Sequence, residues 1–444
     1  MNIPLSAPRC CQLILFFMCC LSACSESSEP TGSTDRPGDV MPDVEVRADT
    51  SPEFDADLMI KDMGMPSVVP LPETVEPTAC GQMNVFTTSV TRPSNDAISM
   101  ELSSKALQFE RIFHGLSVHG TGLNADLSLV DEAAKAEVRA FAANADSTEG
   151  LDGAPLGAVA TFGKAAGLYG GVGLAADAYR YMVLRDEGAA CEEVDRARVR
   201  VERAIETLHI ATRITGVEGV IVRALANVEL PGAGQNQTVP LFNESGQALP
   251  LEKNNGTWRT DQSGLYPNLI WEDSCSRDMY VGWALAYAAV WEAIRTDPSF
   301  SNDLKHRLRT DAKALVDSLM RVGEEGFDLE IRDADGRRTF HGILHEHSVD
   351  RVYITNFPNG FNGLLAAGIV AGLVYVSGDL LQMEYLNREL IESRGLLTLA
   401  RDSLIGLDLG PGSNFSGYNM AFTGAWLAAR YLPTQSNREM VRET

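Results

Sequence analysis

The chain has 444 residues, 45% hydrophobic and 22% charged, with a formal net charge of −23. That is a globular composition with length enough for a large core. So acidic a chain, without a Lys/Arg cluster, repels phosphate backbones, which excludes nucleic acid as a partner.

In chain order, Met1 to Arg9 carries one positive charge, and an apolar run extends from Cys10 through Phe16-Phe17 to Leu21. The run is about a dozen residues long, whereas a bilayer-spanning helix needs about 20. Length and flanks predict a signal-peptide core. It closes with Leu21-Ser22-Ala23-Cys24, which resembles the lipobox of bacterial lipoproteins. The resemblance implies cleavage of residues 1–23, a lipid on Cys24, and attachment to a bilayer of the cell envelope. Ser25 is compatible with an outer membrane.

Residues 24–79 are rich in Ser, Thr, Pro, Asp and Glu, with only Arg36, Arg47 and Lys61 as positive charges. Such a segment buries too little apolar surface to offset its ordering entropy, so it is predicted to be an acidic tether. Residues 80–444 form the expected folded domain. It keeps Cys80, Cys191 and Cys275; one thiol must stay unpaired if two are bonded, and the pairing is left open.

Four segments in the domain are rich in Gly, Ala and aromatics and nearly free of interior charge. They run Tyr169 to Met182, Tyr280 to Ile294, Phe361 to Val376, and Tyr418 to Leu432. Helices apolar around most of their circumference must be buried, and small residues let them approach closely. The first three are followed by amphipathic segments, Cys191 to Ile214, Asn302 to Val322 and Leu380 to Leu397. These have the pattern of helices covering a core from outside. Leu102 to Phe113 and Ala133 to Ala143 are further candidate helices. Gly219 to Leu230 reads as a strand, and Phe327 to Ile343 as a hairpin turning at Asp333-Ala334-Asp335-Gly336.

The expected class is mainly α, with short β-hairpin insertions. Alternating inner and outer helices resemble the α/α-toroid superfamily, which includes six-hairpin glycosidases and polysaccharide lyases. Three full pairs and one unpaired inner helix leave the ring incomplete. The resemblance implies a site at the inner-helix starts, with carboxylates as general acid and base.

At those starts stand Trp271-Glu272-Asp273-Ser274-Cys275-Ser276-Arg277-Asp278, Asn359 and Asn362, Tyr418 and Asn419, and Tyr169. Aromatic rings beside amides and carboxylates suit a sugar: rings stack on the pyranose face and polar groups take its hydroxyls. Asp278 is the first catalytic candidate, with Asp273 or Glu272 as partner and Arg277 as charge stabiliser. Trp271, Tyr280, Tyr169, Asn359, Asn362, Tyr418 and Asn419 are the candidate substrate contacts. The plainer reading is that Asp278 and Arg277 serve the helix start and an ion pair there.

The histidines give a second candidate. On a strand, His341, His345 and His347 would share one face and could hold zinc, with Glu346 pointing away. The spacing fits no established zinc motif, and an exposed polar loop is the preferred expectation. His114 and His119 would reach the mouth as acid or base. No cofactor is expected: nucleotide loops and a Gly-X-Ser-X-Gly elbow are not found. The leading function is a surface-anchored hydrolase or lyase acting on a glycan. A non-catalytic binding or structural lipoprotein is the alternative, and a zinc hydrolase the third.

Overall fold

A computed structural model describes residues 68–76, 79–81, 97–118, 122–144, 154–232, 237–250, 256–356, 358–402 and 415–444. The lipobox with Cys24, most of the predicted tether, and His119 lie outside the described residues.

Helices α1 (Ala97–Ile112) and α2 (Glu132–Ala143) precede the central bundle. A short antiparallel pair, β1 (Leu127–Leu129) with β2 (Val159–Phe162), packs beside them. Strand β3 (Ala165–Ala166) leads into α3 (Gly167–Asp186) and then α4 (Cys191–Arg213). Strands β4 (Ala224–Asn227), β5 (Trp258–Thr260) and β6 (Leu269–Glu272) join β3 in an antiparallel sheet ordered β3-β4-β6-β5. Next come α5 (Arg277–Ile294) and α6 (Asn302–Met320). The hairpin β7 (Glu330–Arg332) and β8 (Arg338–Ile343) follows, then the smaller β9 (Ser348–Val349) and β10 (Val352–Tyr353). The chain closes with α7 (Gly360–Ser377), α8 (Leu380–Glu384), α9 (Leu396–Asp402), α10 (Phe415–Tyr431) and α11 (Gln435–Glu443).

Helices α3, α5, α7 and α10 are the four small-residue segments, and they pack directly on one another. A Cβ on Gly171 would lie 2.1 Å from the carbonyl oxygen of Gly282, and one on Gly368 would lie 2.2 Å from that of Gly424. Only glycine permits these two backbone contacts, so the seams are written in the sequence. Starts meet starts and ends meet ends. The Leu168 N–H points to Met279 Sδ at 3.3 Å, while Arg185 reaches the Ala293 carbonyl at 2.9 Å. Arg277 donates to Asn362 Oδ1 at 2.8 Å, and Tyr375 stacks on Tyr431 at 4.7 Å. The four helices therefore run parallel. At their far ends Glu292 accepts from Arg430 Nε (2.8 Å) and the Tyr431 hydroxyl (2.7 Å), and Trp426 donates to the Tyr179 hydroxyl (3.2 Å). These bonds close α10 onto both α5 and α3.

The covering helix α6 runs the other way. The Tyr280 hydroxyl donates to Leu315 O (3.3 Å) near the start of α5, and Lys305 Nζ donates to Asp297 O (2.8 Å) just past its end, so α6 is antiparallel to α5. Helix α7 has mean hydropathy 1.6 and is 94% buried, so burial in the core accounts for its membrane-like composition. The third covering segment is not one helix: α8 passes into a π-helical stretch, Tyr385–Ser393, and breaks at Gly395 (φ +63°) before α9. The predicted strand over Gly219 to Leu230 shrinks to β4, while the hairpin turns at Asp333–Gly336 as expected, with Gly336 at φ +83°.

The boundary at residue 80 is corrected. Val68 and Val69 already lie against the domain, with Val69 N–H donating to Gly378 O (2.7 Å) and Arg309 donating to Val69 O. Val75 N–H donates to Thr296 O (2.8 Å). The apolar run Val68-Val69-Pro70-Leu71 explains the docking, since Leu71 packs against the core. Cys80 is disulfide-bonded to Cys191, and Cys275 is a buried free thiol. Every one of these N-terminal contacts falls at the end where the inner helices finish.

Candidate functional site

Strand β6 delivers the chain to a short irregular connection, residues 273–276, that opens α5. Ser274 sits there at φ +59°, a left-handed conformation uncommon outside glycine. It is held by its N–H to Asp333 Oδ1 (2.8 Å) and by its hydroxyl, which accepts from Phe340 N–H (3.2 Å). The hairpin β7–β8 therefore fixes the start of α5.

The three candidate carboxylates separate in this setting. Glu272 is buried between Lys164 Nζ (3.1 Å) and Arg223 Nε (3.6 Å). Asp273, 1% exposed, receives Arg259 through Nε (2.8 Å) and Nη2 (2.6 Å) and the Thr257 N–H (2.7 Å). Burial raises its pKa and Arg259 pulls it back. Asp278, in the first helical turn, is half-buried and accepts the Ser276 hydroxyl, which itself accepts from Arg223 (2.7 Å). Asp278 is thus the one candidate carboxylate of the three with solvent access. The expected Glu272 and Asp273 partners are corrected to structural ion pairs. Both oxygens of Asp273 accept from Arg259 or the Thr257 N–H, and Glu272 lies beside two cations, which ties both carboxylates to the fold.

The Arg277 guanidinium is directed to Asn362 Oδ1 and to Asp350 Oδ1 (3.3 Å). Burial lowers its pKa, and the charges of Asp350 and Asp278 oppose that. Asp350, at φ +52°, also binds His341 Nδ1 at 2.6 Å. His341 and Asp350 are both partly exposed, so an imidazole oriented by a carboxylate stands beside Arg277. Sequence reasoning missed Asp350, because a lone Asp between two-residue strands carries no spacing signal.

Among the expected sugar contacts, Trp271 and Tyr280 are core residues. They are 0% and 2% exposed and donate to Thr260 O (2.9 Å) and Leu315 O (3.3 Å). A buried ring has no face to offer a pyranose, so these two assignments are corrected. Asn359 caps α7 by accepting from the N–H groups of Phe361 and Asn362. Asn362 is fully buried, donating to Ser348 Oγ (2.7 Å). Both amides are thereby committed within the fold. Tyr169, 41% exposed, and the half-buried Tyr418 and Asn419 stay near the surface at the starts of α3 and α10.

The histidine face does not assemble. Strand β8 ends at Ile343, so two-residue alternation does not extend to His345 and His347. His345 is buried, its pKa pushed down to about 4 by desolvation against the pull of Glu346. Glu346 does not point away but accepts from Arg394 Nε (2.8 Å), which also holds Asp328 (2.9 Å). Among the described residues no three His, Cys, Asp or Glu side chains are placed to hold a metal. His114 pairs with Asp177 at 3.1 Å in the interior, away from the mouth.

No known family, curated protein or solved structure matches this chain. The site's chemistry therefore rests on its geometry alone.

One consequence of that geometry is a pH dependence. Burial, then the charge of Asp273, pushes Asp333 up to about 8. An unfolded Asp titrates near 3.9, so folding takes up a proton between about pH 4 and 8. The contribution is fully present below about pH 4 and is lost as the pH climbs towards about 8. Asn would keep the neutral acceptor for Ser274. Asp333→Asn should therefore gain on the wild type progressively over that window in urea titrations. An offset independent of pH would show that Asp333 is ionised throughout.

Proposed function

We propose that this chain is a lipid-anchored module of the bacterial cell envelope that binds a glycan at the starts of its inner helices without cleaving it. In this reading Cys24 carries the anchor and the helical domain is an incomplete α/α toroid. The parallel inner helices and the reversed covering helix α6 support that architecture. The observation that carries the non-catalytic reading is the neutralisation of Glu272 by Lys164 and Arg223 and of Asp273 by Arg259. Glycoside hydrolysis in its common form needs two working carboxylates, and the second partly exposed one beside Asp278, Asp350, is engaged by Arg277 and His341. The exposed ring of Tyr169 and the half-buried Tyr418, Asn419 and Asp278 supply the stacking and hydrogen-bonding groups of a binding face.

A second reading, a hydrolase or lyase, is favoured by the His341–Asp350 contact of 2.6 Å. An imidazole oriented by a carboxylate can move a proton, and Arg277 would steady the charge that develops.

A glycan panel tests the binding claim. The purified domain should retain at least one polysaccharide class, and Tyr169→Ala should weaken that retention about tenfold, roughly 1.4 kcal/mol, while the variant stays folded by circular dichroism. Failure to retain any member of the panel would sink the proposal. The Cys24→Ala variant, expected to leave the membrane fraction, checks the anchor separately.

A further inference from the structure

Helices α4 and α6 lie side by side on the outside of the bundle, and a cavity of about 320 Å³ opens between them. Ligand pockets begin at about this size. Two fixed loops wall it. Gly219 (φ +79°) seats the first loop on α6, where a Cβ would lie 2.6 Å from Ala314 O, and Gly216 (φ +71°) packs it against Gln262 of the second. Asp261 fixes the second by accepting from Ser263 N–H (2.8 Å) and Tyr266 N–H (2.6 Å). The cavity is therefore preformed.

Its lining carries charges of both signs, Arg213 against Glu218 and Asp311, and Arg213 meets neither acid in an ion pair among the described residues. Asp311, 8% exposed, is bonded to His209 Nδ1 at 2.7 Å, so its partner is a titratable imidazole and not a fixed cation. Burial raises its pKa, against the pull of His209, Arg307 and Arg213. Arg213 lines the same cavity and makes no ion pair among the described residues. At the rim, Val217 and Leu265 are 37% and 62% exposed. The lining hydroxyls are already used as donors: Thr212 to His209 O (2.9 Å), Ser263 to Asp261 Oδ1 (2.7 Å) and Thr310 to His306 O (2.9 Å). Those hydroxyls can still accept but no longer donate, so charge and the apolar rim supply the stronger recognition, which disfavours a neutral sugar.

We propose that this cavity binds a small zwitterion with an apolar side chain, a free amino acid, whose carboxylate pairs with Arg213 and whose ammonium pairs with Asp311. Val217 and Leu265 cover the side chain. The site is separate from the glycan face, so either assignment can fail without the other.

Calorimetric titration with L-leucine tests it, using the full chain. L-leucine should bind with one-to-one stoichiometry. Leucinamide, which lacks the carboxylate, and 4-methylpentanoate, which lacks the amine, should each bind at least tenfold more weakly. Arg213→Gln, an exposed change, should weaken L-leucine to the level of leucinamide and leave leucinamide itself unaffected. Asp311→Asn should do the same to the amine arm; if it unfolds the protein, the two analogues still decide. No L-leucine binding at about 10 mM, a value far above useful affinity, or equal binding of all three compounds, would overturn the assignment.

Discussion

Replacing Arg259 with Met should cost about 3–5 kcal/mol of stability, the range for leaving a buried charge without its partner. Arg259 is 2% exposed and Asp273 1%. The guanidinium also donates to Val239 O (2.9 Å) and Pro240 O (2.8 Å), so it ties the 239–240 segment to β5 as well as neutralising Asp273. Met fills a similar volume but supplies no proton. Asp273 would then stay protonated in the fold, beside Asp333, which is already pushed up to about 8. The variant's deficit should shrink as the pH falls towards 4, because a carboxyl with a raised folded pKa loses its disadvantage below its unfolded value. Chemical denaturation at pH 7.5 and pH 4.5 checks both statements. Adding Asp273→Asn should restore part of the loss. A single variant within about 0.5 kcal/mol of wild type, the scale of an ordinary surface change, would mean that the ion pair does not hold the start of α5.

The second large effect is expected at the disulfide. Cys80 and Cys191 are separated by 111 residues. Cross-linking a loop of that length removes chain entropy from the unfolded state worth about 4–5 kcal/mol in the simple entropic treatment, although engineered cases deliver less. The variant Cys80→Ser with Cys191→Ser should lose roughly 2–5 kcal/mol. Its loss should match that of the reduced wild type. Cys275 is 1% exposed, so alkylation of the native protein should leave it unmodified until the domain unfolds. A mass-spectrometric thiol count on the native and denatured protein, with and without reductant, separates these states. A Cys80 that alkylates in the native, unreduced protein would contradict the pairing.

The bundle was legible because its instructions are local and repeated. Gly171, Gly282 and Gly368 sit inside apolar helices where glycine is otherwise unfavourable, and at each a Cβ would run into the backbone of the neighbouring helix. The amphipathic stripe of α4, with Val201, Ile205 and Leu208 buried, was equally direct. The site was less legible because its decisive partners come from distant strands. Arg259 meets Asp273 through the register of β5 against β6, which pairs it across from Trp271. Lys164 reaches Glu272 from 108 residues away. A polar cluster at a helix start looks the same in sequence whether it is open to a ligand or consumed by such pairs. Asp350 was invisible for the opposite reason: only the β9–β10 turn brings it to Arg277 and His341.

The N-terminal contacts bear on how the domain would be presented. Residues 68–76 reach Gly378 and Thr296 at the ends of α7 and α5, whereas Asp278, Arg277 and His341 lie at the starts. Eighteen residues of helix separate the two ends by about 27 Å. A tether arriving at one end would leave the proposed glycan face at the other.

The most direct test of binding without cleavage is to recover a retained glycan after prolonged incubation with the protein and measure its chain length and end groups. The account predicts unchanged length and no new reducing or unsaturated ends, with wild type and Asp278→Asn indistinguishable. Shorter chains produced by the wild type and lost in Asp278→Asn would contradict it and make Asp278 a catalytic residue.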